Sequence, residues 1–113
     1  MMNTKEEYSK YINIETVMNF AQIVSKKMLK DVKRMNISMD DDKFVIELFM
    51  QEKENNLLYD LFITILSPDE IALRTNNMTN EMQMLPNAWK KYMDRVCSEY
   101  NTDVDVESTQ QKL

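Results

Sequence analysis

Apolar and polar positions alternate along two neighbouring stretches of the chain. In the first, Phe44, Ile46, Leu48 and Met50 fall on one side and Val45, Glu47, Phe49 and Gln51 on the other. In the second, Leu57, Tyr59, Leu61, Ile63 and Ile65 alternate with Leu58, Asp60, Phe62, Thr64 and Leu66. A period of two, with β-branched and aromatic enrichment, predicts half-buried strands over 44–51 and 57–66. The polar break Glu52-Lys53-Glu54-Asn55-Asn56 separates them. Asn55-Asn56 suits a hairpin turn, because Asn tolerates positive φ better than most non-glycine residues. The same runs also fit helical spacing, through Phe44, Val45, Leu48 and Phe49 and through Leu57, Leu58, Leu61, Phe62, Ile65 and Leu66. The segment Phe62-Ile63-Thr64-Ile65 favours the strand, because β-branched side chains lose χ1 freedom in a helix and pack well on a pleated face.

Helical periodicity dominates elsewhere. Thr4-Lys5-Glu6-Glu7 has the form of a capping box and opens a short helical segment over 4–12. Ile14, Val17, Met18, Ala21, Val24, Met28, Val32 and Met35 make one apolar stripe, which predicts a helix over 14–35 capped by Asn13. Lys26, Lys27, Lys30, Lys33 and Arg34 crowd its end, where cations meet the negative pole of the helix dipole. Asp40-Asp41-Asp42 then reads as a solvated turn into the first strand.

Further on, Ser67-Pro68-Asp69-Glu70 fits either a type I turn or a helix start. The alternation of Ile71, Leu73 and Thr75 leans to a third strand. Residues 76–86 form a polar, Met-bearing connection in which Thr79 can cap a short helix. Trp89, Tyr92, Met93, Val96, Cys97 and Tyr100 predict a last helix over 87–100. Residues 101–113 are polar and acidic, and we expect a disordered tail there.

The expected architecture is therefore α+β, in the order α-β-β-β-α. A small antiparallel sheet carries the long N-terminal and C-terminal helices on one face, in one globular domain over 1–100. An all-α bundle is the alternative. Both predicted strands of the central hairpin are apolar on both sides, so the second sheet face calls for cover from a partner or a second copy.

Composition changes this picture mainly by exclusion. The chain of 113 residues has no Gly and no His, and one Cys. Phosphate-binding loops and nucleophile elbows need Gly for close backbone approach or a tight turn. Triads and most zinc sites need His or several Cys. We therefore expect a protein that is not an enzyme and holds no cofactor and no metal. Asp40-Asp41-Asp42 lacks the Gly and the distal Glu of a calcium loop. Cys97, on an apolar stripe without a His to activate it, reads as an inert buried thiol. No apolar run is long enough for a membrane span, and no secretory pattern follows Met1, so the expected location is cytoplasmic.

Charge and methionine content name the candidate surfaces. Residues 1–35 carry seven basic and four acidic side chains, and residues 36–81 carry three and ten. The 11 Met are many for this length, and Met adapts to irregular contact surfaces. We assign partner contacts to Met78, Met82 and Met84 in the connection and to Val45, Phe49 and Phe62 on the sheet. Met18, Met28, Met35, Met50 and Met93 are assigned to the core.

The functional expectation is a small non-enzymatic protein-interaction module with a protein partner. Lys-, Asn- and Ile-rich composition suggests an A/T-rich coding sequence, so a phage- or virus-encoded inhibitor or modulator of a host protein is its narrowest form. A homodimer is compatible with this. One alternative is a nucleic-acid-associated protein using Lys26, Lys27, Lys30, Lys33 and Arg34. The acidic net charge of −5 argues against it, because phosphate binding draws its affinity from cations. A second alternative, an acidic dimeric chaperone of secretion type, rests on size and charge alone.

Overall fold

The computed structural model describes residues 9–28 and 30–112, with side chains described as far as Glu99. It contains helix α1 (Ile14–Lys27), strands β1 (Asp31–Asp40), β2 (Lys43–Gln51), β3 (Leu58–Ser67) and β4 (Glu70–Thr75), the single turn α2 (Asn80–Gln83) and helix α3 (Leu85–Lys112). The strands form one antiparallel sheet in the order β1-β2-β3-β4. With helices packed on that sheet the fold is α+β, as the alternation and the flanking helical stripes imply.

The two predicted strands of the central hairpin pair in the expected way. Leu48 lies opposite Leu61 and Ile46 opposite Ile63. Their turn uses Asn56 at φ 59°, and Asn55 Oδ1 accepts a hydrogen bond from the Leu57 N–H at 3.0 Å. The alternating residues 71–75 are indeed a strand. Ser67-Pro68-Asp69-Glu70 is the turn that leads into it, closed by a 2.8 Å hydrogen bond from Ser67 Oγ to Asp69 Oδ1.

The helix expected over 14–35 is two elements. Asn13 caps it as anticipated, accepting from the Thr16 N–H at 3.0 Å. The helix ends at Lys27, and Met28 is already extended. The next residues form β1, a fourth strand. Val32, Met35, Ile37 and Met39 lie opposite Met50, Leu48, Ile46 and Phe44 of β2. A bulge between Val32 and Arg34 restores the alternation that a strict period of two would miss. The turn after β1 is Asp41-Asp42, with φ of 51° and 66°. Both values are positive, as a type I′ hairpin requires, and Asp is among the few non-glycine residues that reach them. The Asp40-Asp41-Asp42 turn therefore joins two strands rather than a helix and a strand.

The core lies between the sheet and the helices. Val17, Phe20, Ala21 and Val24 of α1 meet Ile46, Leu48, Met50, Tyr59, Leu61, Ile63, Trp89 and Met93, all buried. This helix face is rotated from the predicted stripe. Phe20 is buried, whereas Ile14 and Met18 are about half exposed, at 51% and 46%. Trp89 sits at the junction of the layers. Its ring packs edge-on against Phe20 with centroids 4.9 Å apart, and its Nε1 donates to the Ser67 carbonyl at 2.8 Å. Tyr92 Oη donates to the Thr16 carbonyl at 3.0 Å and ties α3 to α1. Burial pushes the Tyr92 hydroxyl above its ordinary value. The backbone of α3 is helical to Lys112, through the stretch for which composition suggested a tail. The short segment expected over 4–12 falls mostly outside the described residues.

Candidate functional site

Because strand side chains alternate, every residue aimed at the helices leaves a neighbour aimed the other way. On β2 these outward residues are Val45, Glu47, Phe49 and Gln51, and on β3 they are Leu58, Asp60, Phe62 and Thr64. None belongs to the core or packs against it, so among the described residues no element covers this face. Val45, Phe49 and Phe62 are half-buried by their own strand neighbours.

The strand register gives the face an ordered centre. Arg34, Phe49 and Asp60 lie side by side on β1, β2 and β3. In the next row Glu47, Phe62 and Arg74 lie side by side on β2, β3 and β4. Each row reads arginine, phenylalanine, carboxylate, and the two run in opposite directions. Arg74 Cζ stands 4.2 Å from the Phe62 ring centroid, and Arg34 Cζ stands 5.3 Å from that of Phe49. Such contacts are worth about 0.5–1 kcal/mol each at exposed sites. The antiparallel rows place Asp60 and Glu47 diagonally adjacent at the centre.

Those two carboxyl groups interact. Burial pushes the Asp60 carboxyl above its ordinary value of 3.8. Its hydrogen bond with Glu47 and the charge of Glu47 act the same way, while Arg34 and Arg74 pull it back. The Oδ1 atom of Asp60 is itself shut off from solvent and has no hydrogen-bond partner among the described residues. An open depression of about 450 Å³ lies beside them, lined by Phe49, Asp60, Phe62 and Arg74 together with Leu58 and Asn76. Chemically, the face offers two aromatic rings, two guanidinium groups and a shared carboxyl acceptor. That set suits both polar and apolar contacts.

The sequence-assigned residues divide. Val45, Phe49 and Phe62 come together on this open face. Met78 and Met84 are exposed in the connections flanking α2, outside the strand rows. Met82 is fully buried. Thr79 caps α2 by accepting from the Met82 N–H at 3.4 Å, and that turn delivers the Met82 side chain to the core, so Met82 is a packing residue and not a contact. Met28, Met50 and Met93 are buried as expected, but Met18 and Met35 are exposed. The five cations do not share one helix face. Lys26 and Lys27 end α1, Lys30 lies in the connection, and Lys33 and Arg34 belong to β1. Cys97 is buried. Arg74, Asp60 and Glu47 were absent from the sequence-derived candidates, and Arg34 figured there only as a nucleic-acid contact. Alternation around Phe49 and Phe62 signals the two carboxylates, but the arginines become visible only with the strand pairing.

No helix among the described residues is long and apolar enough to cross a membrane. No group of three or more carboxylate or thiol side chains among them gathers as a metal site. Comparison with protein-family models, with curated proteins and with solved structures returns no match.

Proposed function

We propose that the protein is a non-enzymatic interaction module that binds a protein partner on the open face of its sheet. The observation that supports this reading is the uncovered centre of that face, where Val45, Phe49 and Phe62 are apolar and Arg34 and Arg74 rest on the two rings. Aromatic and arginine side chains are the residues that concentrate binding energy at protein interfaces. The charges of Glu47 and Asp60 at the centre of that face and of the two flanking arginines supply registry for a partner of mixed charge. An inhibitor or modulator of a host protein is the narrowest form of this proposal, and it draws on the coding-bias signature of the composition.

The test is affinity capture from the native cell with the tagged full chain, before and after nuclease. It is repeated with Phe49→Thr/Phe62→Thr, which keeps β-forming residues at both positions. The expected result is a stoichiometric protein that survives nuclease with the wild type and is lost with the double variant. A partner retained undiminished by the double variant would overturn the assignment to this face. Recovery of nucleic acid alone would overturn the module reading and return attention to Lys26, Lys27, Lys30, Lys33 and Arg34.

A further inference from the structure

Strand β1 closes one side of the sheet, and among the described residues no strand pairs with its outer edge. Its hairpin with β2 turns through the two residues Asp41-Asp42, which makes Asp40 and Lys43 the closing pair. In such a hairpin the closing pair is hydrogen-bonded, and bonded pairs then recur at every second residue. Asp40, Ser38 and Asn36 therefore turn their backbone groups toward β2. Met35, Ile37 and Met39 turn theirs outward, away from the sheet. These are also the residues on the helix-bearing face, yet Met35 is 38% exposed and Met39 61% exposed. A five-residue edge, Met35-Asn36-Ile37-Ser38-Met39, thus carries free backbone groups and an apolar row, with no charge, no proline and no bulge. Protein sheets ordinarily guard an exposed edge with such features.

We infer that this edge pairs antiparallel with β1 of a second copy of the chain, about a two-fold axis at Ile37. The strand is self-complementary in that register. Ile37 meets Ile37 of the second copy, and Met35 meets its Met39, so the outward backbone groups face one another and the apolar rows adjoin. On the other face Asn36 meets Ser38, and Arg34 meets Asp40. Opposite charges in directly facing pairs stabilise a sheet, and like charges destabilise it. A two-fold placed one residue earlier, at Asn36, sets Arg34 against Ser38. Placed one residue later, at Ser38, it sets Met35 against the Asp41-Asp42 turn. Only the Ile37 register satisfies charge, apolar contact and backbone together. The product is a continuous eight-stranded sheet, with both helix layers on one side and both open faces on the other.

The experiment is sedimentation of the full chain across a concentration series. The wild type is expected to approach twice its chain mass of 13.5 kDa. Arg34→Asp and Asp40→Arg, made singly, are each expected to weaken association about tenfold, because each places like charges opposite one another twice per dimer. The double swap restores it. Arg34→Asp removes the Phe49 ring contact in the single and in the double variant alike, so recovery reports on Asp40. Ile37→Cys in a Cys97→Ser background is expected to form a disulfide between copies under air. Facing Cα atoms at a hydrogen-bonded pair stand about 5.5 Å apart, inside the range a disulfide spans. Ser38→Cys, displaced from the axis, is not expected to do so. A wild type that stays monomeric throughout the series would overturn the inference, as would a dimer indifferent to all of these changes. Phe49→Thr/Phe62→Thr should leave the dimer intact, so this result stands or falls apart from the open-face reading.

Discussion

The same strands present two different surfaces. On the helix side, Ile46, Leu48, Met50, Leu61 and Ile63 are fully buried. One residue along, Val45, Glu47, Phe49, Asp60 and Phe62 face away and remain partly exposed. The first set is uniform, aliphatic and uncharged. The second mixes rings, carboxylates and guanidinium groups within two rows. The inner face reflects the demand for dense packing. The outer face contains large apolar side chains that no core requires, and it holds them under cations. That difference separates residues kept for folding from residues available for contact.

Substitutions can test this contrast, and the largest effect belongs to the inner face. Leu61→Asp places a charge without a partner in the centre of the core. The expected outcome is a chain that does not fold, seen as loss of near-ultraviolet dichroism and of a cooperative thermal transition. A folded Leu61→Asp protein would erase the distinction between the two faces.

A milder pair sharpens it. Leu48→Ala on the inner face is expected to cost about 2–5 kcal/mol through lost burial and a residual cavity. Phe62→Thr on the outer face should cost only about 1 kcal/mol, chiefly the ring contact with Arg74. Urea unfolding measures both. Equal losses would show that Phe62 is structural after all.

The smallest expected effect is one of pH. The folded state holds the Asp60 proton more tightly than the unfolded chain does, because the carboxyl is raised above 3.8. Stability from this group is therefore complete below that ordinary value and declines as pH rises through the raised one. Asp60→Asn should match the wild type in acid and exceed its thermal midpoint toward neutral pH. Thermal midpoints collected from about pH 3 to pH 7 decide this. A constant offset between the two proteins would mean that burial of the proton is not the cause.

Much of the inner face was legible from periodicity, since Ile46, Leu48, Leu61 and Ile63 alternate without interruption and Asn55-Asn56 marks their turn. The first strand was not. Met28, Val32 and Met35 extend the helical stripe of Val17, Ala21 and Val24, and no Gly or Pro punctuates the change. The competing alternation of Met35, Ile37 and Met39 is displaced by the bulge at Lys33, which breaks the period of two where it would first be noticed. Pairing with β2 settles the contest in favour of the strand. The outer site was half legible for a related reason. Phe49 and Phe62 could be assigned to an outward face from their own strands, but Arg34 and Arg74 lie on the flanking strands. Their place over the rings depends on register, which a linear pattern does not contain. Met82 was misassigned because a single capped turn reverses the direction of one side chain in a stretch that otherwise reads as surface.

The sequential strand order also bears on how the chain reaches this state. Each strand pairs with the one beside it in sequence, so the sheet can zip up hairpin by hairpin through short closures. The helices dock from the two ends of the chain, α1 against β2 and α3 against β4. Their contact with each other is the long-range one: Tyr92 and Thr16 stand 76 residues apart, and closing that span costs about 2–3 kcal/mol more than closing a short turn of the sheet. Until the helices dock, the hairpins stand with both faces and the β1 edge open to solvent. The interval between zippering and helix docking is therefore when the nascent protein is most exposed to wrong neighbours.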